Sequence, residues 1–278
     1  MLTDMKDNFQ SVKESQEIRS LIIDSLEFGD RGHVGSSFSL VEILISIYTE
    51  IANISPEKLS DPSRDKIILS KGHGCLAQYA ILAYLNFFNK SDLKTFCKFE
   101  SSLGGHPEFG HVKGIEASTG SLGHGLSIAL GLALSSKIKK MNSKIFAILG
   151  DGELGEGSNW EALLSASKNR LDNLFIIIDY NKMQSYDYVS EVCNLEPLTD
   201  KFVSFGCDVL ECNGHDVSEI SSNLVRFQSH QNGKPKVLIA HTIKGKGVKS
   251  IENDLSWHHR TNFTQDEIDF LREEIFRA

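Results

Sequence analysis

The stretch from Gly150 to Asn181, GDGELGEGSNWEALLSASKNRLDNLFIIIDYN, decides the fold. It reads as the end of a strand, a glycine turn, a helix and a second strand. Ile145-Phe146-Ala147-Ile148-Leu149, just before it, is a short apolar run closed by glycine, as a fully buried parallel strand requires, and Phe175-Ile176-Ile177-Ile178 repeats the pattern. Trp160, Leu163, Leu164 and Ser167 between them recur at helical spacing. A right-handed crossover makes the two strands parallel, so Asp151 and Asn181 emerge at the same edge of the sheet. Open parallel sheets bind ligands at that edge.

Gly150 and Gly152 carry no side chain that would hold a phosphate away from the backbone amides, and the positive end of the following helix is expected to point at the same place. The Gly150-to-Gly155 stretch also satisfies GxGxxG, with Asp179 as a possible ribose acid, but a carboxylate at Asp151 inside a dinucleotide cradle repels its ligand unless a cation stands between them. Asp151 and the Asn181 amide oxygen are hard ligands of the kind that magnesium or calcium takes, with phosphate oxygens and water completing the shell. Taken singly, Asp151 reads as a helix cap and Asn181 as a turn residue. Together, at matching strand ends beside a glycine turn, they point to a metal-bound diphosphate.

GDG followed by an apolar strand and Asn resembles the thiamine diphosphate motif, and GDGELGEGSNWEALLSA with DYNKMQ is similar to the form found in the transketolase family. The resemblance implies a thiamine diphosphate-binding fold, with Asp151, Asn181 and the backbone carbonyl of Met183 holding Mg2+ or Ca2+ on the diphosphate beside Gly152. Gly32-His33, Lys71-Gly72-His73, Gly105-His106-Pro107-Glu108 and Trp257-His258 match the family's four active-site histidine segments. On that resemblance His73 and His258 approach the cofactor, while His33, His106 and His258 face the sugar. Thr119-Gly120-Ser121-Leu122-Gly123-His124-Gly125 resembles the loop that packs against the cofactor through Gly120, Leu122 and Gly123. The family usually has Gln where this chain has His124, so no role is carried over to that side chain. Glu156 and Glu161 match two carboxylates near the family's subunit interface, with Glu156 expected at the catalytic centre. On sequence alone both serve equally well as first-turn or helix-surface acids, and any single histidine serves as an ordinary loop residue.

The remaining strands are expected at Lys66 to Leu69, Asp208 to Glu211 and Val237 to Ala240, giving an α/β architecture with helices on both faces of a parallel sheet. Helices are expected around Ile18 to Leu26, after a Ser39-x-x-Glu42 capping box, from Cys75 to about Phe88, from Leu126, near Asp200, after Asp216 and after Thr264-x-x-Glu267. Phe99 to Gly125 reads as one long loop, and a loop of that length in a compact domain is usually functional.

At 278 residues with 40% hydrophobic and 24% charged side chains, the chain has an ordinary globular composition, read as a single domain over residues 1–278. A net charge of -8 without a basic block argues against nucleic acid. No signal core is expected at the amino terminus and no run approaches the ~18 apolar residues of a spanning helix, so the expected location is cytoplasmic and away from membranes. Five cysteines without a CxxC pair read as free thiols.

The resemblance covers the whole chain but only the amino-terminal half of a full-length transketolase. It implies transfer of a two-carbon ketol unit from a ketose phosphate to an aldose phosphate by a split enzyme. A separate carboxy-terminal, pyrimidine-binding subunit would complete the site, with a homodimeric core inside a heterotetramer. Three alternatives compete: the alpha subunit of a 2-oxo-acid dehydrogenase, which shares the GDG to Asn motif, a nicotinamide-dependent oxidoreductase built on the literal GxGxxG, and a non-catalytic binding or regulatory protein that keeps the fold without turnover.

Overall fold

The computed structural model describes residues 2–277. Five parallel strands, β1 (Lys66–Leu69), β2 (Ile145–Gly150), β3 (Leu174–Tyr180), β4 (Asp208–Asn213) and β5 (Lys236–His241), form one sheet in the order β1-β2-β3-β5-β4. All five were expected, and β3 extends past Ile178 to Tyr180.

The strands are apolar on both faces because both faces are covered. Phe146, Ile148, Phe175, Ile177 and Leu238 pack on one side, while Ile145, Ala147, Leu149, Ile176, Ile178 and Val237 pack on the other. That period of two, with no polar face, distinguishes a doubly covered parallel sheet from an antiparallel one with a wet side. The first side carries α1 (Leu2–Gly29), α2 (Val34–Phe38), α3 (Val41–Ile45) and α4 (Cys75–Tyr84). The second carries α5 (Gly125–Ile138), α6 (Gly157–Lys168) and, after the short α7 (Val189–Cys193), α8 (Leu198–Ser204). Two further helices, α9 (Val217–Ser229) and α10 (Gln265–Arg277), return to the first side.

Several expectations need correction. Helix α4 ends at Tyr84 instead of Phe88. Ser39 and Glu42 form no capping box: the Ser39 hydroxyl donates to Asp179 Oδ2 at 2.7 Å, and Glu42 pairs with Arg19 at 2.7 Å. Val34–Ile51 is, by length and composition, apolar enough to match a membrane span, contrary to the sequence reading, yet 83% of it is buried inside the fold. It is a core element. The other caps stand as read: Asp216 accepts from Glu219 N at 3.0 Å, and Thr264 and Glu267 cap α10 reciprocally at 2.9 and 3.2 Å.

A two-residue antiparallel ribbon, Arg31–Gly32 against Arg260–Thr261, lies apart from the main sheet. It brings the chain just after α1 beside the segment preceding α10. The loop from Phe99 to Gly125 contains no helix or strand before α5, as expected.

Candidate active site

The carboxyl ends of β1, β2 and β3 open onto a cavity of about 250 Å³ whose lining includes His33, His73, His106, Gly120, Leu122, Asp151, Asn181, Met183 and His258. Residues separated by as much as 225 positions are thus assembled at the sheet edge predicted from the crossover.

The β2 turn builds the floor. Asp151 is 3% exposed and its carboxylate accepts from Gly152 N at 2.7 Å and from Lys182 N. Burial pushes this carboxyl up to about 7, and the neighbouring charge of Asp179 adds to the effect. A buried carboxylate disfavoured in this way is stabilised by a cation. Asn181, 5% exposed, donates through Nδ2 to Asp179 Oδ2 at 3.2 Å and accepts through Oδ1 from Met183 N at 3.1 Å, leaving that amide oxygen a second lone pair. The Asp151 carboxylate, the Asn181 amide oxygen and the Met183 carbonyl are a hard-oxygen donor set suited to magnesium or calcium. Among the described residues no three His, Cys, Asp or Glu side chains are placed to hold a metal ion together, consistent with a set in which two of three donors are amide oxygens.

One detail of the cradle differs from the sequence reading. After Asp151 comes a 3-10 turn, Gly152–Gly155, and α6 begins only at Gly157, so the anion-facing amides belong to the turn rather than to the helix. Glu153 stabilises this arrangement from below. Its carboxylate accepts from Ser70, from Gly123 N at 2.9 Å and from Gly150 N at 3.2 Å, tying the β1 turn, the Gly120-to-Gly123 loop and the β2 turn together. Close packing explains the glycine at 123: its φ is +83°, and a Cβ there would meet Glu156 Cβ at 2.6 Å.

Two buried lysines bring positive charge to the cavity, Lys71 in its lining and Lys244 just behind it, and neither was singled out from the sequence. Lys71, 1% exposed, pairs with Asp179 at 2.5 Å. Lys244, 2% exposed, has only neutral partners: Met183 O at 3.2 Å, Gln184 O at 3.3 Å and His258 Nδ1 at 2.6 Å. Burial lowers its pKa to about 8, with the Lys71 charge adding to the effect. A buried ammonium without a direct carboxylate partner is complementary to an anion entering the cavity. A lone lysine in a loop normally points to water. Only its burial reveals these two.

The histidines converge. His33 lies 5.3 Å from His73, 6.4 Å from His106, 5.4 Å from His258 and 4.6 Å from His259, ring centre to ring centre. Burial is the main cause of depressed pKa values at His33 and His258, both about 3, with His259 next in weight for the former and Lys244 for the latter. Burial and then Lys71 hold His73 well below its usual value, and burial alone lowers His106. These imidazoles are therefore neutral at pH 7 with one donor and one acceptor nitrogen each, the complement of a sugar hydroxyl, although at His258 the acceptor Nδ1 is taken by Lys244 and the Nε2 donor is left.

Some expected residues lie elsewhere. Glu156, expected at the catalytic centre, is exposed at the start of α6 and does not line the cavity; Glu161, matched only to the interface, and His124, given no role, are exposed as well. Gly123 backs the cavity through Glu153 rather than lining it. Asp179, the possible ribose acid of the nicotinamide reading, is 0% exposed and already accepts from Lys71, Ser39, Asn181 and Thr242. It is closed to a ribose.

A family model described as "Transketolase, thiamine diphosphate binding domain" matches residues 11–276. The chain belongs to the transketolase family. It is 41% identical to an apulose-4-phosphate transketolase subunit of Actinobacillus succinogenes over 92% of each chain. It is 39% identical to a 6-deoxy-6-sulfo-D-fructose transketolase subunit of a Clostridium species, over 95% of this chain and 93% of that one. Human transketolase is 32% identical over 90% of this chain, but the match spans 40% of the human protein. Among solved structures, Campylobacter jejuni transketolase superposes with a TM-score of 0.85 at 29% identity, covering 96% of this chain and 43% of that one. These transketolase relatives bear out the α/β fold and the thiamine diphosphate-binding character expected from the sequence.

Proposed function

We propose that this transketolase chain is the diphosphate- and metal-binding subunit of a split enzyme, a single domain over residues 1–278. A separate pyrimidine-binding subunit completes its site, in a heterotetramer with two copies of each. The buried Lys244 ammonium, bonded to the Met183 carbonyl in the wall of the cavity that Asp151 and Asn181 also line and without a carboxylate of its own, carries this reading. The apulose-4-phosphate transketolase relatives, which are themselves named as subunits and are matched over 92% of their length, support the split arrangement.

Asp151, Asn181 and the Met183 carbonyl would hold magnesium, with calcium as the substitute. Gly120, Leu122, Gly152, His73 and His258 would border the diphosphate, with Gly123 supporting the loop. When bound, thiamine diphosphate supplies the carbon nucleophile for cleaving the bond beside a ketose carbonyl and passing two carbons to an aldehyde. The chain's own residues orient and neutralise. Lys71 and Lys244 set a positive field for the diphosphate, and the Asp151 carboxylate is kept anionic by the metal. His33, His106 and His258, neutral and clustered, exchange hydrogen bonds with the hydroxyls of a ketose phosphate donor and an aldose phosphate acceptor. The Glu156 carboxylate, outside the cavity, would act at the contact between subunits. A cytoplasmic location fits substrates of this kind.

Calorimetric titration of thiamine diphosphate with magnesium into this chain, alone and with its partner subunit, tests the reading. Binding that needs magnesium and is lost in Asp151→Ala supports it. Absence of binding in both arrangements, with the proteins folded, refutes it.

A further inference from the structure

Lys244 is delivered by the short loop after β5, and that loop is held from behind. Ile243 N–H donates to His215 Nε2 at 2.8 Å, Gly245 N–H donates to Gly35 O at 3.1 Å, and the Lys246 carbonyl accepts from Arg19 Nε at 2.7 Å. His215 and Arg19 then converge on one carboxylate. Glu42 Oε2 accepts from His215 Nδ1 at 2.9 Å and from Arg19 Nη2 at 3.0 Å, and Glu42 Oε1 accepts from Arg19 Nη1 at 2.7 Å. Arg19 is 4% exposed and Glu42 7%. The three side chains border a hollow that shares no lining residue with the histidine cavity. Nothing in the chemistry proposed above uses them.

The bonding fixes the protonation of His215. A backbone N–H aimed at Nε2 requires a lone pair there, so the ring proton sits on Nδ1 and is donated to Glu42. Burial alone would raise the Glu42 carboxyl, but the Arg19 charge and the hydrogen bonds from His215 and Arg19 hold it down to about 2, so it is an acceptor throughout the neutral range. The imidazole is therefore a strut of defined polarity, with a donor toward the helix layer and an acceptor toward the loop.

The loop needs such a strut. Gly245 and Gly247 have φ values of +83° and +94°, backbone that glycine makes pliable. The Lys244 ammonium is buried against neutral acceptors, and a long lysine side chain reaches water when its backbone yields.

We infer that His215 is a positioning residue for cofactor binding, fixing the 242–247 loop through the Ile243 amide so that the Lys244 ammonium stays against Met183, Gln184 and His258 in the cavity wall, with Arg19 and Glu42 fixing His215. The inference rests on the reading of that cavity as a diphosphate site.

Two near-isosteric substitutions divide the strut. His215→Asn keeps a donor near the Nδ1 position for Glu42 and removes the acceptor for Ile243, whereas His215→Gln keeps an acceptor near Nε2. Hydrogen exchange across residues 242–247 is measured on the folded chain, and magnesium-dependent thiamine diphosphate affinity on the complex with its partner. His215→Asn is expected to speed exchange in this loop and weaken cofactor affinity, each about tenfold, with little change in kcat at saturating cofactor. His215→Gln restores both to within about threefold of the unsubstituted protein. Unchanged loop exchange in His215→Asn, or equal loosening in both variants, overturns the inference. Should the unsubstituted complex bind no thiamine diphosphate, loop exchange still decides the strut, and the failure belongs to the functional reading. If His215→Asn does not fold, the ring nitrogen shifts of His215 in the unsubstituted protein decide. A bare Nε2 supports the strut, and a protonated Nε2 overturns it.

Discussion

Asp179 is the charge on which the cavity floor closes, and its removal has a size that the structure sets. The carboxylate is 0% exposed and accepts from Lys71 Nζ at 2.5 Å, Ser39 Oγ at 2.7 Å, Asn181 Nδ2 at 3.2 Å and the Thr242 hydroxyl. Asp179→Asn keeps the shape and removes the charge. Lys71, 1% exposed, is then left with neutral acceptors alone, the introduced amide oxygen and the Ser36 carbonyl at 3.3 Å. Breaking a buried pair from one side costs about 3–5 kcal/mol, because the partner charge is left uncompensated. With an unfolding entropy of about 2.1 cal/mol/K per residue, that cost lowers the melting midpoint of a chain this long by about 5–9 °C. The assay is calorimetric melting at pH 7 of Asp179→Asn, Lys71→Met and the double variant. Removing both partners leaves no stranded charge, so the double variant should be more stable than the sum of the singles predicts, by about 2 kcal/mol or more. A single Asp179→Asn midpoint within about 2 °C of the unsubstituted protein, or strict additivity in the cycle, would refute the argument.

Three further outcomes follow from buried groups. Lys244→Met should lower magnesium-dependent thiamine diphosphate affinity at least about tenfold while leaving the melting midpoint unchanged or raised, since the lost ammonium was buried without a carboxylate; calorimetry and melting curves check the two halves. The Glu42 carboxyl, held near 2 against 4.5 in the free side chain, contributes stability that is fully present above about pH 4.5 and lost as the pH falls through 2. Its share is about 3 kcal/mol, so the acid limb of a stability-against-pH curve should flatten in Glu42→Gln. Thiol labelling of the native chain should modify the exposed Cys193 first. Cys75, Cys207 and Cys212 are buried, with thiols pushed up by burial, the latter two to about 12, and should react only on unfolding, as timed mass spectrometry would show.

The sheet was legible because its pattern is local. Runs such as Ile145 to Leu149 and Phe175 to Ile178 are too short for helices and too apolar for a half-wet sheet. The order of chain elements supplied the parallel topology, and with it the edge where Asp151 and Asn181 meet. Glycines beside His33, His73 and His106 marked backbone that must approach something closely, and the family resemblance joined those segments into one site. What escaped was long-range. Ser39 and Glu42 fit a local capping pattern, yet their side chains are recruited by Asp179 and Arg19, and no window of sequence contains those partners. Lys71 and Lys244 look like surface residues until the fold encloses them. The amino-terminal turns of α1 lack the regular apolar spacing that marks Ile18 to Leu26, so nothing in their periodicity announced them.

The ribbon between Arg31–Gly32 and Arg260–Thr261 also imposes an order in time. His33 follows its first strand directly and His258 precedes its second by two residues, so the cluster is clasped by segments far apart in the order of synthesis. A nascent chain that has emerged as far as β5 holds every strand of the main sheet and the Asp151 and Asn181 oxygens. It still lacks Lys244, His258 and the clasp. The cavity walls can close only after residue 261 has left the ribosome.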